Sequence, residues 1–167
     1  MALTSIDYAR LVQFTALKLH MALLNKTQVN KILFYIYGAY MADTDGKVLF
    51  SDDTPKAWTY GPVFPISNKR VVACEKIKQD YFSPEKIEEF RKDQVALKLV
   101  AKVVANMYDR SAISLTEWSH LPGSPWYNTI YQLDESGKVV GQNPWNTPIA
   151  PKLIEEYFKN KENRIFG

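Results

Sequence analysis

Residues 29–42 constrain the fold more than any other part of the chain. They read VNKILFYIYGAYMA, and Lys31 is the only charged residue among them. A helix that is apolar on nearly every face is normally buried on all sides. We therefore expect a central helix over Gln28–Ala42, capped by Thr27. Gly38 costs about 1 kcal/mol relative to alanine inside a helix, which indicates the close approach of a neighbouring backbone.

A stiff aromatic turn follows this helix. After a turn signal at residues 45–46, Lys47–Phe50 has strand character and Lys56–Tyr60 alternates with period two. The two runs predict at most a small hairpin near residues 47–60. The Tyr-Gly-Pro sequence at 60–62 is sharply shaped, because glycine permits a positive φ and proline fixes its own φ.

Caps and apolar spacing predict further helices along the chain. Their predicted starts are Thr4 or Ser5, Ile66, Ser83, Ser114, Ser124 and Pro151. The helix from Ile66 is the weakest and reaches Ile77, the helix from Ser83 runs to Tyr108, and residues 134–146 are expected to be a polar loop. The chain is therefore predicted to be mainly α, a single compact domain over residues 1–167 with about six helices.

Composition restricts the class of protein. The excess of 21 lysine and arginine residues over 18 acids gives a net charge of only +3, which does not favour nucleic acid as a partner. A single cysteine, Cys74, excludes an internal disulfide and fits a reducing cytosol. The N-terminal residues lack the pattern of a secretory signal, and no apolar run approaches the ~20 residues of a membrane span. We therefore expect a cytoplasmic protein with no membrane partner.

Residues with catalytic chemistry are few. His20 and His120 are the only histidines, and neither they nor Cys74 lies in a nucleophile elbow or a catalytic cysteine signature. No HExxH sequence, phosphate loop or metal-ligand spacing occurs, so we expect no catalytic residue, no metal and no cofactor. The paired acids Asp52 and Asp53 are expected to bond the local backbone as turn formers, with cation binding as the alternative.

Four aromatic residues lie in or beside turns. They are Trp58, Tyr60, Trp118 and Trp126. We expect core packing to account for at least half of them. The alternative is a protein interface, because tryptophan and tyrosine dominate binding hot spots. The turns at 60–62 and 122–126 are the stiffest in the chain, so they suit the rigid presentation of such side chains.

At these residues the sequence resembles a known family. Residues 29–39, VNKILFYIYGA, echo the pattern LQKLLYYAQGW of the Panacea domain, also called the SocA-like antitoxin domain. Residues 46–50, GKVLF, and residues 57–63, AWTYGPV, match its next two blocks, and the AWxYGPV block is fairly specific. The resemblance covers about residues 27–158 in all.

The resemblance continues into the C-terminal half of the chain. Residues 115–120, LTEWSH, and residues 124–126, SPW, look like the second block of the family, and residues 148–158 look like its closing helix. Ala39 replaces an aromatic residue of the family pattern, and Asn68 stands near a position where tyrosine is usual. These departures concern single contacts rather than the assignment of the domain.

The resemblance implies a mainly helical, non-enzymatic domain of bacterial or prophage origin that binds a co-encoded protein toxin and neutralises it. Toxins of the family include alarmone-synthetase-like ones. One branch delivers its toxin to a bacterial protease as an adaptor, which is an alternative for this chain. The residues that match the family motifs, and that we expect at a toxin-binding or motif site, are Lys31, Tyr35, Gly38, Trp58, Tyr60, Gly61, Pro62, Trp118, His120 and Trp126.

Two other functions are open on the sequence. A hydrolase would use His120 with a nearby acid, and it requires a partner within hydrogen-bond reach of that base. A phage regulator that binds DNA would show steep salt dependence of binding. Lys31 is expected to bond a carbonyl or carboxylate where the helix meets the turn, in a structural or a partner-facing role.

Overall fold

The computed structural model describes residues 2–72 and 81–166. In these residues the helices are α1 (Ser5–His20), α2 (Lys26–Asp43), α3 (Pro65–Arg70), α4 (Pro84–Arg91), α5 (Gln94–Met107), α6 (Ala112–Ser119), α7 (Pro125–Ile130) and α8 (Pro151–Lys159). The strands are β1 (Lys56–Trp58), β2 (Gly61–Val63), β3 (Tyr131–Leu133), β4 (Val139–Gln142) and β5 (Thr147–Pro148). The mainly α class is confirmed, with eight helices where about six were predicted. Each helix in these two ranges is too short or too polar to cross a bilayer.

Helix α2 is the centre of the fold, as its composition predicts. Every residue from Val29 to Met41 is buried, and α1, α5, α6, α8 and β2 all pack against it. The helix begins earlier than predicted, because Asn25 rather than Thr27 is its cap. The Asn25 side chain accepts from the Gln28 backbone N–H (2.9 Å), and the Gln28 side chain accepts from the Asn25 backbone N–H (2.9 Å). This reciprocal pair is a capping box.

A neighbour does approach Gly38 closely, but it is a side chain and not a backbone. The ring of Phe158, on α8, occupies the space that a Cβ atom would need at position 38. Phe158 is fully buried, and its ring also packs against the rings of Phe34 and Tyr35. The glycine therefore lets α8 place an aromatic ring directly against the central helix.

A small β element lies near the predicted place, but it uses other strands. β1 pairs antiparallel with β2 across a turn formed by Thr59 and Tyr60, and it pairs with β5 on its other edge. The prediction of a strand at Lys47–Phe50 is wrong. Phe50 is buried there and its ring packs against Tyr37, so the apolar residues of this run serve the core rather than a strand pair.

Two further segments differ from the prediction. The helix expected from Ser83 to Tyr108 is divided into α4 and α5, because Asp93 accepts a hydrogen bond from the Ala96 backbone N–H (3.1 Å) and so caps a new helix. Part of the expected loop at 134–146 forms β4, which pairs antiparallel with β3. A hairpin therefore follows α7 directly.

The weak helix expected over Ile66–Ile77 is present only in its first part. This part is α3, and Val71 follows it in an extended conformation. The predicted continuation through Cys74 to Ile77 lies outside the described residues.

Candidate functional site

The turn between β1 and β2, residues 58–62, is fixed to the central helix by hydrogen bonds. Lys31 on α2 donates a hydrogen bond from Nζ to the carbonyl of Pro62 (3.2 Å). Its neighbour Asn30 accepts a hydrogen bond at Oδ1 from the backbone N–H of Phe64 (3.1 Å). Lys31 was predicted to bond a carbonyl or a carboxylate at the junction of helix and turn, and the acceptor is the carbonyl of Pro62. The strand that leaves the turn is therefore fixed to α2.

Lys31 is an amine in an almost fully buried position. The residue is 1% exposed, and burial lowers the pKa of its amine from 10.5 to about 8. Among the described residues, the carbonyl of Pro62 is the hydrogen-bond partner of Nζ, and no carboxylate forms an ion pair with it. Burying a charge against one neutral partner costs free energy, so this contact holds the turn at the expense of some stability.

Gly61 permits the close packing of the turn on two helices. Its φ is +112°, and a Cβ atom there would lie 2.5 Å from Ser119 Oγ and 2.8 Å from Lys31 Cε. Glycine alone satisfies both the backbone conformation and the space. This residue therefore brings the turn against α6 and α2 together.

A second brace comes from α7. Trp126 donates its indole N–H to the carbonyl of Trp58 (2.6 Å), so the strand that enters the turn is also fixed. Ser124 caps α7 and donates its hydroxyl to the carbonyl of Ser119 (2.8 Å), which joins α7 to α6. We call residues 58–62, held by Lys31 and Trp126, the braced turn.

The surroundings of His120 do not suit a general base. Its ring stacks on Trp126, with ring centroids 3.8 Å apart and 14° between the planes. Burial lowers the pKa of its imidazole, and the positive charge of Lys31 lowers it further. In the part of the chain that is described, its buried Nε2 has no hydrogen-bond partner. A hydrolase needs a base oriented by a partner, so this geometry does not support the hydrolase alternative.

Tyr60 is the most exposed of the ten residues expected at the site. Its side chain is at the tip of the braced turn and the residue is 72% exposed, whereas Gly61 and Pro62 behind it are buried. Trp58 is half-buried and donates its indole N–H to Asn146 Oδ1 (2.8 Å). The residues that hold the turn thus lie in the interior, and the tip reaches solvent.

Three of the expected residues belong to the core rather than to the turn. Tyr35 and Trp118 are buried with their ring centroids 5.5 Å apart, and Gly38 lies under the ring of Phe158. The hydroxyl of Tyr35 accepts a hydrogen bond from the backbone N–H of Phe166 (3.2 Å). These residues pack α2 against α6, α8 and the C-terminal segment.

Trp145 was not predicted as a site residue. It is 60% exposed, and its ring centroid lies 5.1 Å from that of Trp58. It reaches the turn because the segment after β4 leads into β5, which pairs with β1. The sequence feature that could have indicated Trp145 is a tryptophan beside Pro144 in an otherwise polar segment.

Two cavities flank the braced turn. The first, which we call the α6 cleft, has a volume of ≈ 380 Å³ and is lined by Thr27, Tyr60, Ala112, Ile113, Thr116 and Glu117. The second, which we call the aromatic cavity, has a volume of ≈ 340 Å³ and is lined by Thr59, His120, Trp126, Ile130, Tyr131, Gln142, Asn143 and Trp145. Both volumes fall within the range of ligand-binding pockets.

The paired acids bond the backbone, but not that of their own turn. Asp52 accepts a hydrogen bond from the backbone N–H of Ser5 (2.8 Å) at the start of α1. Asp53 accepts one from the backbone N–H of Ser67 (2.9 Å) in α3. They therefore tie two helix N-termini to the loop before β1. Over residues 2–72 and 81–166, no group of three or more histidines, cysteines and acids could hold a metal ion.

The fold and the braced turn define a mainly α domain that presents an aromatic turn at its surface. Residues 29–127 match the protein family described as antitoxin SocA-like, Panacea domain. The match covers more than half of the chain, so the chain belongs to this family, as the sequence motifs predicted. The similarity seen at residues 148–158 lies beyond the matched segment. No curated protein and no solved structure matches the chain.

Proposed function

We propose that this chain is an antitoxin that neutralises a co-encoded protein toxin by direct contact and without catalysis, in the cytoplasm. Family membership supports an antitoxin-type role. The observation that carries the contact is Tyr60, an exposed aromatic side chain at the tip of a turn whose two strands are both fixed by hydrogen bonds. Tyrosine is among the residues that dominate binding hot spots.

A braced turn suits recognition for an energetic reason. Association costs about 0.5–1.5 kcal/mol for each flexible side chain that it immobilises, and the ordering of loops adds to this. The hydrogen bonds from Lys31 and Trp126 hold the backbone of the turn before any partner arrives. Tyr60 then offers a large contact area with few rotatable bonds, so more of the contact energy is available as affinity.

The buried motif residues act on the toxin indirectly in this proposal. Lys31, Gly61 and Trp126 position the turn, and the residues of the core position α2. Substitution of Gly61 or Trp126 should therefore lower the stability of the fold and the affinity for the toxin together. Substitution of Tyr60, which is exposed, should lower the affinity alone.

Co-expression with the neighbouring gene tests the function. We expect the neighbour's product to arrest growth when it is expressed alone, and growth to recover when this chain is co-expressed and co-purifies with it. An alarmone-synthetase-like product is one class of toxin that the family resemblance implies. If the neighbour's product is harmless alone and no complex forms on pull-down, the proposed function is wrong.

Delivery to a bacterial protease is the alternative that the resemblance implies. A pulse-chase measurement of the toxin separates the two modes of action. Neutralisation by direct contact leaves the half-life of the toxin unchanged or longer when this chain is present. An adaptor shortens that half-life, and a strain that lacks the protease then loses the protection from toxicity.

A further inference from the structure

The α6 cleft brings two exposed apolar side chains to one concave surface. Tyr60 and Ile113 are 72% and 73% exposed, and both line the same cavity of ≈ 380 Å³. Ile113 lies in the first turn of α6 with its side chain directed to solvent instead of the core. Large apolar side chains that share an exposed concave surface are typical of an interaction site.

The walls of the α6 cleft are preformed. Ser111 caps α6 by accepting the backbone N–H of Ser114 (3.0 Å). The side chain of Gln28, in the first turn of α2, donates to the carbonyl of Arg110 (2.9 Å), which ties the start of α2 to the segment before α6. With the braced turn as the third wall, all three elements around the cleft are held by hydrogen bonds, so a ligand meets a surface that is already shaped.

The charge in the cleft indicates the chemistry of its occupant. Glu117 is the one charged side chain among the six residues that line the α6 cleft. It is exposed, and no ion pair within the described ranges involves it. A carboxylate at the rim of an apolar cleft is complementary to a lysine or arginine that accompanies an apolar side chain.

We propose that the α6 cleft is the contact site for the toxin. A surface segment of the toxin inserts an apolar side chain between Tyr60 and Ile113, and a lysine or arginine of the same segment pairs with Glu117. This inference rests on the proposed function, since it takes the toxin as the partner. It goes further by assigning the contact to the α6 side of the turn and by stating the chemistry that the toxin must carry there.

The test measures the Kd between the purified product of the neighbouring gene and variants of the full chain. We expect Tyr60→Ala and Ile113→Ser each to raise the Kd about 30-fold or more, the size of a hot-spot loss. Glu117→Gln should raise it several-fold and flatten its dependence on salt, because a rim charge acts mainly through long-range attraction. Glu117→Lys should raise it at least about tenfold, because it places like charges opposite one another.

A matched control variant tests whether the loss of affinity is confined to residues of the α6 cleft. Val140→Ser removes a β-branched apolar side chain that is 63% exposed but does not line the α6 cleft, and it should leave the Kd within about twofold. The substituted side chains of all these variants are exposed, so their urea midpoints should match that of the wild type. A toxin variant in which the paired lysine or arginine is changed to glutamate should restore binding to Glu117→Lys.

The outcomes separate the two proposals. If the wild-type chain does not bind the neighbour's product, the proposed function fails. If the wild-type chain binds it and the folded Tyr60, Ile113 and Glu117 variants all bind within about twofold of wild type, the cleft assignment is wrong while the proposed function stands. A loss of affinity in Val140→Ser as large as that in Ile113→Ser also overturns the assignment.

Discussion

The burial of the Lys31 amine allows us to predict how the free energy of unfolding changes with pH. Lys31→Met keeps a side chain of similar length while removing the charge and the hydrogen bond to the Pro62 carbonyl. The change of packing at this position alters the free energy of unfolding by an amount that does not depend on pH. The charge behaves differently, because burial lowers the pKa of the amine from 10.5 to about 8 on folding. The difference in stability between the two proteins should therefore change with pH.

The direction and size of this change in the free energy of unfolding follow from proton linkage. Between the folded and the unfolded pKa of Lys31, the unfolded chain binds more protons, so the free energy of unfolding rises with pH in that window. The full cost of the charged amine, about 3 kcal/mol from a shift that ends at a pKa of about 8, is present below the window and disappears above it. Raising the pH from about 7 to about 9.5 should recover about 2 kcal/mol of this cost in the wild type, and Lys31→Met has no such cost to recover.

Urea unfolding followed by tryptophan fluorescence measures the effect. Burial also raises the pKa of tyrosines such as Tyr37, but these groups titrate alike in both proteins and cancel in the difference. We expect the stability of the wild type relative to Lys31→Met to increase by about 2 kcal/mol between the two pH values. A difference that stays constant within about 0.5 kcal/mol would show that Lys31 is not held in the low-dielectric site that its burial implies.

Two further substitutions test the braces, each against a matched control. Gly61→Ala should destabilise the fold by at least about 2 kcal/mol, because φ is positive there and the added Cβ overlaps the side chains of Ser119 and Lys31. The control Gly137→Ala, which has a positive φ but open space around it, should cost about 1 kcal/mol. Equal urea midpoints for the two variants would refute the packing role of Gly61. Trp126→Phe should cost about 1 kcal/mol or more because it removes a partly buried hydrogen bond to the carbonyl of Trp58. Trp58→Phe loses a bond at an exposed site and should cost less than about 1 kcal/mol; the reverse order in thermal unfolding would show that the indole of Trp126 is not a brace.

The centre of the fold could be predicted from local sequence because its signal is local. The apolar run around Lys31 has few ways to avoid water other than complete burial, and every residue from Val29 to Met41 is indeed buried. The bond of Lys31 to an acceptor was also predictable, since a lone buried cation at a helix–turn junction requires one. The choice of a carbonyl over a carboxylate was not predicted. The identity of the close neighbour of Gly38 was not predictable, because Phe158 is distant in the sequence.

The pairing of β1 could not be predicted in the same way. A period-two pattern indicates a strand but does not identify its pairing partner. A proline also disfavours a strand at 61–63, because it has no N–H to donate to a ladder. The structure resolves this by placing β2 at the edge of the sheet. There the missing N–H is not needed, and the carbonyl of Pro62 is free to accept from Lys31.

The α6 cleft was not predicted from the sequence, because the N-terminal cap of α6 was assigned to the wrong serine. The capping-box spacing at Ser114 predicted a later start for α6, which would leave Ile113 before the helix. The actual cap is Ser111, and it sets Ile113 in the first turn. Even with the right cap, the presence of Tyr60 and Ile113 in one cleft depends on how the turn between β1 and β2 packs beside α6. No local sequence pattern predicts that packing.

Toxin contact at the α6 cleft is tested most directly by hydrogen–deuterium exchange of the full chain, alone and bound to the product of the neighbouring gene. We expect slower exchange in the complex at the tip of the braced turn, residues 59–60, and along the segment 111–117 that forms the wall of the α6 cleft. The β3–β4 hairpin at residues 131–142 should exchange at the same rate in both samples. Protection confined to that hairpin or to α4, with residues 59–60 and 111–117 unchanged, would show that the toxin does not bind at the α6 cleft.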